Sequence, residues 1–247
     1  MKPTQEHPIL VKYIPPMSTT PTFHVRGLDE GLGDGQFMID AFDASLPHLA
    51  AIGSGGQWGT ESFSERHNAE DRIKAVQQAL RYQSTGEGDP ILIFVVEAEI
   101  PFSAVDEPPA SVRVRTGEAG KKLLPVGTAT LSEGIHPGYV RAQFHRDAIK
   151  KELDGTREYL YLEALITDFR AGAWRKGAGA ALVEHARQVC RERGMRILYA
   201  DAYAGNDRKL VRYYEKLGFS LVDYFESPTP DGSTWTGAFL RMDVPAE

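Results

Sequence analysis

The stretch YLEALITDFRAGAWRKGAGAALVEHA, Tyr161–Ala186, decides how the chain folds. At its start Leu160, Leu162, Ala164 and Ile166 alternate with Tyr161, Glu163, Leu165 and Thr167, the period of a β-strand. On that period Glu163 shares a face with Tyr161, Leu165 and Thr167. A Gly/Ala loop follows. Ala178, Ala181, Leu182, His185, Ala186, Val189 and Cys190 then fall on one helical face, and Gly194 stands where a glycine ends a helix. The unit is strand, glycine loop, helix. It is not a Walker A loop: Gly172 and Gly177 have the spacing, but Ala178-Gly179 follows instead of Lys-Ser/Thr. It is not a dinucleotide fingerprint either, because Leu182 occupies the third small position and no acidic residue ends a following strand at the expected place. A plain glycine-rich turn is one remaining reading. The other is an anion cradle: Gly177-Ala178-Gly179 opening a helix leaves backbone N–H groups free at the positive end of the helix dipole, enough to hold a pyrophosphate. Glycine serves there because a Cβ would block the approach of phosphate to backbone.

Downstream the pattern is regular: a strand at Met195–Tyr203, a helix at Arg208–Leu217, a strand at Phe219–Phe225, a turn at Asp231-Gly232 and a last strand at Thr234–Met242. Upstream it is looser. Residues 1–21 carry five prolines and read as an arm, with room for a short strand at Ile9–Tyr13. Thr22–Arg26 reads as a strand. A helix through Phe37, Met38, Ala41, Phe42, Leu46 and Leu49 is kinked or ended by Pro47. Gly53–Gly59 is a loop containing Trp58. Ser64 is a candidate N-cap for a helix with Ala69, Ile73, Val76 and Leu80 on one face. Ile91–Ala98 reads as a strand buried on both sides, Pro101–Lys121 as an insertion, and Leu123–Leu131 as the next strand. An irregular stretch around His136-Pro137-Gly138 leads to a short helix near Arg146–Leu153. The organisation is an arm, 1–21, and one α/β domain, 22–247, with an insertion near 101–121.

Composition excludes several classes. The 247 residues are 42% hydrophobic and 25% charged, values of a folded globular chain. A net charge of −6 without a dense basic block argues against a nucleic-acid partner. The longest apolar run, Ile91–Val96, is too short to span a membrane, and no signal-peptide core is present. The single cysteine, Cys190, precludes an internal disulfide or a cysteine metal site, and the seven histidines form no ligand pattern, so no metal is expected. A cytoplasmic protein, monomeric or homodimeric, is the expectation.

The strand–loop–helix segment resembles the acetyl-CoA-binding motif of the GNAT superfamily of N-acetyltransferases, Gln/Arg-x-x-Gly-x-Gly/Ala, with Gly177 and Gly179 in the glycine positions and Trp174, followed by Arg175, in the Gln/Arg position. A second segment, AGNDRKLVRYYEKLGF at Ala204–Phe219, resembles the closing motif of the same family: Asn206, an apolar helix, then Tyr214 and Gly218-Phe219. The resemblance covers residues 159–242. The resemblance implies an α/β fold with a mixed, mostly antiparallel twisted sheet of six to seven strands, flanked by helices and splayed at the CoA site. It implies acetyl-CoA as acyl donor. Its pyrophosphate would lie on Trp174, Arg175, Lys176, Gly177, Ala178, Gly179 and Ala180, and its pantetheine arm on the backbone of Leu165, Ile166 and Thr167 and on Asn206.

Acyl transfer to an amine needs a base, a partner for the oxyanion and a proton for the leaving thiolate. The resemblance places Glu163 as the base and Tyr214 as the proton donor. A salt-bridged strand glutamate and a half-buried core tyrosine are the plainer readings of the same residues. Asp201 and Tyr203, ending the adjacent strand, are the alternatives for the base. Trp58 either shapes an acceptor pocket or caps a core. The expected reaction is direct attack by the amine of a small molecule. A protein N-terminus or lysine is the alternative acceptor, and a CoA-binding sensor or interaction module without turnover is the alternative outside catalysis.

Overall fold

The computed structural model describes residues 21–66, 69–101, 108, 110–229 and 232–246, without the side chains of 69–73. The expected strand at Ile9–Tyr13, most of the 101–121 insertion's first half and Asp231 therefore lie outside the described residues, as do the side chains of Ala69 and Ile73. Among the described residues eight strands form one sheet: β1 (Phe23–Gly27), β2 (Ile91–Ile100), β3 (Arg115–Thr116), β4 (Lys122–Glu133), β5 (Leu160–Thr167), β6 (Ile197–Tyr203), β7 (Ser220–Pro228) and β8 (Thr234–Asp243). Their order is β1-β2-β4-β5-β6-β8-β7, with β3 alongside β4. Every pairing is antiparallel except β5 with β6. The sheet is thus mixed and mostly antiparallel, as expected.

Six α-helices among the described residues flank it: α1 (Asp34–Ala51), α2 (Ala69–Thr85), α3 (Gly138–Arg141), α4 (Asp147–Leu153), α5 (Ala178–Glu192) and α6 (Gly205–Lys216). The apolar stripe of α5 packs with Leu160, Leu162, Leu198 and Ala200 on one face of the sheet, where Val211 and Tyr214 of α6 join it. On the opposite face, Met38, Phe42 and Leu46 of α1 and Ala79 of α2 pack with Ile93 and Ile166. Farther along that face, Val140, Ile149 and Leu153 of α3 and α4 cover Tyr161, Tyr199 and Phe239.

Two features of the N-terminal half differ from expectation. The first helix runs on past Pro47 to Ala51. Pro47 is exposed while Leu46 and Leu49 are buried, so the hydrogen bond lost at proline falls on the solvent side, where water can satisfy the freed carbonyl. Ser64 does not cap α2, which begins at Ala69; its hydroxyl donates to Asp43 at 2.7 Å, and the Phe63 amide donates to the same carboxylate. In the C-terminal half, α6 opens earlier than the apolar spacing suggests. Asn206, Asp207 and Arg208 have φ of 49°, 53° and 59°, a left-handed turn that L-residues avoid, and right-handed helix starts at Lys209.

The feature that positions the site is a split between the two central strands. β5 and β6 pair only at Leu160–Leu198, Tyr161–Tyr199 and Leu162–Ala200. Beyond Leu162, β5 stays with β4 and β6 stays with β8, and a wedge opens between them. The register of β5 on β4 slips at the same place: Leu131 opposes Leu162 and Thr130 opposes Ala164, leaving Glu163 as a bulge residue. A bulge bends its strand and increases the local twist, which is what parting from β6 requires.

Candidate active site

The bulge overturns one expectation. Tyr161 packs in the cluster with Tyr199 and Phe239, whereas Leu165 packs on the α5 side with Leu160 and Leu162. Glu163 therefore does not share a simple alternating face with both. It lines a cavity of about 280 Å³ set in the wedge, together with Leu162, Leu165, Asp201, Tyr203, Tyr214 and Trp235 among others. Burial raises the Glu163 carboxyl above the ordinary range for glutamate, against a smaller opposing contribution from a hydrogen bond with Ser132.

Asp201 is the second carboxylate of the cavity. Its Oδ1 accepts from Tyr139 Oη at 2.9 Å and from Tyr161 Oη at 2.5 Å. Burial nevertheless dominates and lifts it to about 6, the two phenols pulling it down and the charge of Glu163 adding to the rise. Sequence reasoning had Asp201 as an alternative base but not the tyrosines that hold it. Tyr139 lies in the irregular stretch between β4 and β5, where no periodicity marks it.

Tyr214 is 6% exposed and lines the cavity from α6. Its hydroxyl makes no hydrogen bond among the described residues, and burial raises its pKa, so it stays protonated at neutral pH. Its neighbour Tyr213 also lines the cavity and was not foreseen. A Cβ built on Gly179 would lie 2.7 Å from the Tyr213 hydroxyl, so this phenol leans on the first turn of α5.

That first turn has the features of an anion cradle. Gly177 takes φ 96° at the N-cap and no side chain caps the helix, so the amides of its first turn have no side-chain partner. Ala178 and Gly179 are buried, while Lys176 and Gly177 are exposed and Ala180 is half-buried. Arg175 lies beside them with its guanidinium 3.7 Å from the Phe169 ring centroid, and it donates to Thr167 Oγ1 at 3.2 Å. Its Nε is buried without a partner among the described residues, and burial lowers its pKa by more than the nearby charge of Asp168 raises it. Such a cation gains from a nearby anion. Trp174 packs against the apolar core below α5. These residues fit the pyrophosphate of acetyl-CoA. The backbone of Leu165, Ile166 and Thr167 pairs with Ala129, Thr128 and Gly127 of β4, and has no strand on its β6 side to take the main-chain groups that point there. The Ile166 side chain itself packs toward α1.

Asn206 stands elsewhere than the resemblance implies. Its amide nitrogen donates to Ile52 O at 2.8 Å and to Ser54 Oγ at 2.6 Å, so its donors are spent on the segment after α1. Trp58 fills both of its readings, packing edge-on against Phe42 at 5.3 Å while lining the cavity. His185 lies edge-on to Phe94 at 4.4 Å, on the core side of α5.

Residues 97–219 match the acetyltransferase (GNAT) family. The chain carries a GNAT acetyltransferase domain. The match begins within β2 and ends at the head of β7, so it contains the wedge, the α5 cradle and Tyr214, and the GNAT core is followed by β7 and β8. Solved structures share the fold at low identity. ACIAD1637 from Acinetobacter baylyi ADP1 is 11% identical with a TM-score of 0.54 over 93% of this chain and 97% of that one. The yncA protein of Salmonella typhimurium, solved with its cofactor acetyl-CoA, is 13% identical with a TM-score of 0.53 over 91% and 95%. A GNAT-family protein from Desulfovibrio desulfuricans is 13% identical with a TM-score of 0.50 over 91% and 100%. No curated protein matches the sequence at a significant level. Among the described residues no helix is long and apolar enough to cross a membrane, and no group of three or more His, Cys, Asp or Glu is placed to hold a metal.

Proposed function

We propose that the domain transfers the acetyl group of acetyl-CoA to the primary amine of a small molecule, by direct attack with both substrates bound. The observation that carries this reading is that one cavity joins Tyr214 on the α5/α6 side of the wedge to Glu163 and Asp201 at the parting strands. The donor supplies an activated acyl group, and the chain supplies the rest. The first turn of α5 and Arg175 hold the pyrophosphate, and the unpaired edge of β5 at Leu165–Thr167 takes the pantetheine arm. An alkyl ammonium has a pKa of about 10 and must lose a proton before it attacks. Glu163, made more basic than an exposed glutamate by burial, accepts it. As the C–N bond forms and the C–S bond breaks, charge builds on sulfur, and the second proton, shed by the nitrogen as it becomes an amide, passes to the thiolate to give free thiol. The Tyr214 hydroxyl, with no other partner, donates to the sulfur. A phenol above pKa 10 is a weaker acid than a thiol near ~8.5, so Tyr214 acts mainly through a hydrogen bond that strengthens with that charge.

Release of free thiol from acetyl-CoA, followed across a panel of amines, tests the reading. Tyr214→Phe should lower kcat roughly 10²–10⁴-fold with little change in KM for the donor. Donor binding without thiol release for any amine would instead make the domain a CoA sensor. Release only with peptides or proteins would move the acceptor to an N-terminus or lysine.

A further inference from the structure

The walls of the cavity are aromatic to a degree that acetyl transfer alone does not require. Trp235 lies 6.1 Å from Tyr139, 6.1 Å from Tyr203 and 5.7 Å from Phe225, centroid to centroid. These rings are seated on glycines. A Cβ at Gly237 would fall 2.3 Å from the Trp235 ring and 2.6 Å from the Phe225 ring, one at Gly205 would fall 2.2 Å from Tyr203, and one at Gly56 would meet the Tyr203 hydroxyl at 2.6 Å. Three separate segments thus leave out a side chain so that rings can occupy the acceptor side of the wedge. Trp235 Nε1 also donates to Gln57 O at 3.3 Å, tying β8 to the loop after α1. Together these contacts join two walls of the cavity, and its volume of about 280 Å³ is at the small end for ligand sites, which run roughly 300–1,000 Å³.

The charges are one-sided. Among the described residues, the lining holds Glu163 and Asp201 but no Lys, Arg or His. Both tyrosine bonds to Asp201 fall on Oδ1, which leaves Oδ2 without a partner among the described residues. An ammonium entering this space meets two carboxylates and several ring faces, all of which favour a cation. An acceptor with its own carboxylate, such as an amino acid, would find no cation to pair with. An amino sugar would set several of its hydroxyls against the apolar faces of Trp58, Trp235 and Leu162, where they lose water without a partner.

Resting on the proposed acetyl transfer, we infer that the acceptor is an arylalkylamine: a primary ammonium on a planar apolar body, without a carboxylate. The ammonium sits between Glu163 and Asp201, and the planar body packs on Trp235 and Tyr139. The matched pair 2-phenylethylamine and phenylalanine tests this, because the two differ only by a carboxylate. With glucosamine and a tripeptide bearing a free N-terminus as further acceptors, kcat/KM for 2-phenylethylamine should exceed each of the others by at least about tenfold, the scale set by one unmatched polar group. Trp235→Ala should raise the KM for 2-phenylethylamine about tenfold, leave the KM for acetyl-CoA in place, and be largely rescued by Trp235→Phe. Equal or better turnover of phenylalanine, glucosamine or the peptide would overturn the inference and leave acetyl transfer standing. No thiol release with any acceptor, while acetyl-CoA still binds by calorimetry, would overturn the transfer reading beneath it. The wild-type comparison decides the matter even if Trp235→Ala does not fold.

Discussion

On the proposed transfer, two carboxylates in one apolar cavity should set the acid side of the pH profile. Asp201 is lifted to about 6 and Glu163 is raised as well, each chiefly by burial, and Glu163 adds its charge to the rise in Asp201. The other groups facing Asp201 are the hydroxyls of Tyr139 and Tyr161, and Ser132 faces Glu163; none of them supplies a cation. A carboxylate takes a proton only when ionised, so a raised pKa means activity present above it and lost as pH falls through it. The acid limb of kcat/KM should therefore lie above that of an exposed glutamate and belong jointly to the pair, in which Asp201 is lifted to about 6. Glu163→Gln should flatten that limb and cut the rate roughly 10²–10⁴-fold. Asp201→Asn should move it downward, because a negative neighbour has gone. An unaltered limb in the Gln variant would make Asp201 the base. The same shift has a stability counterpart. With the folded pKa of Asp201 above the unfolded value, the wild type is favoured below about pH 4 and loses that advantage as pH rises through about 6. Asp201→Asn, which can still accept both tyrosine bonds, should melt higher than wild type at pH 8 and not at pH 4.

At the scale of single elements, the helix α5 and its glycine turn were legible because an apolar stripe at helical spacing survives whatever the other face does. The strand β5 was legible as a strand but not in its facing. A bulge adds a residue without disturbing the alternation of residue types, so nothing in LEALIT reveals that Glu163 has slipped out of register. The aromatic wall was illegible for another reason: Tyr139, Tyr203 and Trp235 come from three segments with no common period, and of the glycines beneath their rings Gly56 reads as a loop residue and Gly237 as one more residue of the last strand. The left-handed turn at Asn206–Arg208 was hidden likewise, since its residues fit a helix N-terminus by composition. The α5 turn itself can be tested. A Cβ at Gly179 would meet the Tyr213 hydroxyl at 2.7 Å and Leu165 Cδ2 at 3.5 Å. The first is the tip of a flexible side chain and can move aside. Gly179→Ala should then leave Tm equal or slightly higher, since alanine is favoured over glycine in a helix by about 1 kcal/mol. Gly179→Leu should keep the fold and weaken acetyl-CoA binding by more than about tenfold, because its bulk projects where phosphate must approach. Unchanged affinity of the Leu variant by calorimetry would displace the cradle from this turn.

Over the whole molecule, the cavity lies where two halves of the sheet part, and its acceptor side depends on contacts that cross between them. The segment after α1 carries Gln57 and Trp58; the end of β6, the turn into α6 and β8 carry Asp201, Tyr203 and Trp235. Besides the bond from Trp235 to Gln57, the crossing contact is Asn206, whose amide holds Ile52 O and Ser54 Oγ. Asn206 does this from a left-handed conformation, which asparagine tolerates better than most residues and glycine tolerates freely. Two substitutions separate backbone from side chain. Asn206→Gly keeps the left-handed turn and removes the tie. It should raise the acceptor KM about tenfold by loosening the wall that carries Trp58, while the KM for acetyl-CoA stays put. Asn206→Ala removes the tie and adds a left-handed penalty of about 1 kcal/mol, so it should show the same KM change with a lower Tm than the Gly variant. The opposite kinetic split would be equally informative. If Asn206→Gly weakened acetyl-CoA binding and spared the acceptor, the side chain would have to leave Ile52 and Ser54 when the donor arrives, and bond the pantetheine as the family resemblance implies. Donor calorimetry on the Gly variant decides between the two, because that variant leaves the backbone conformation intact.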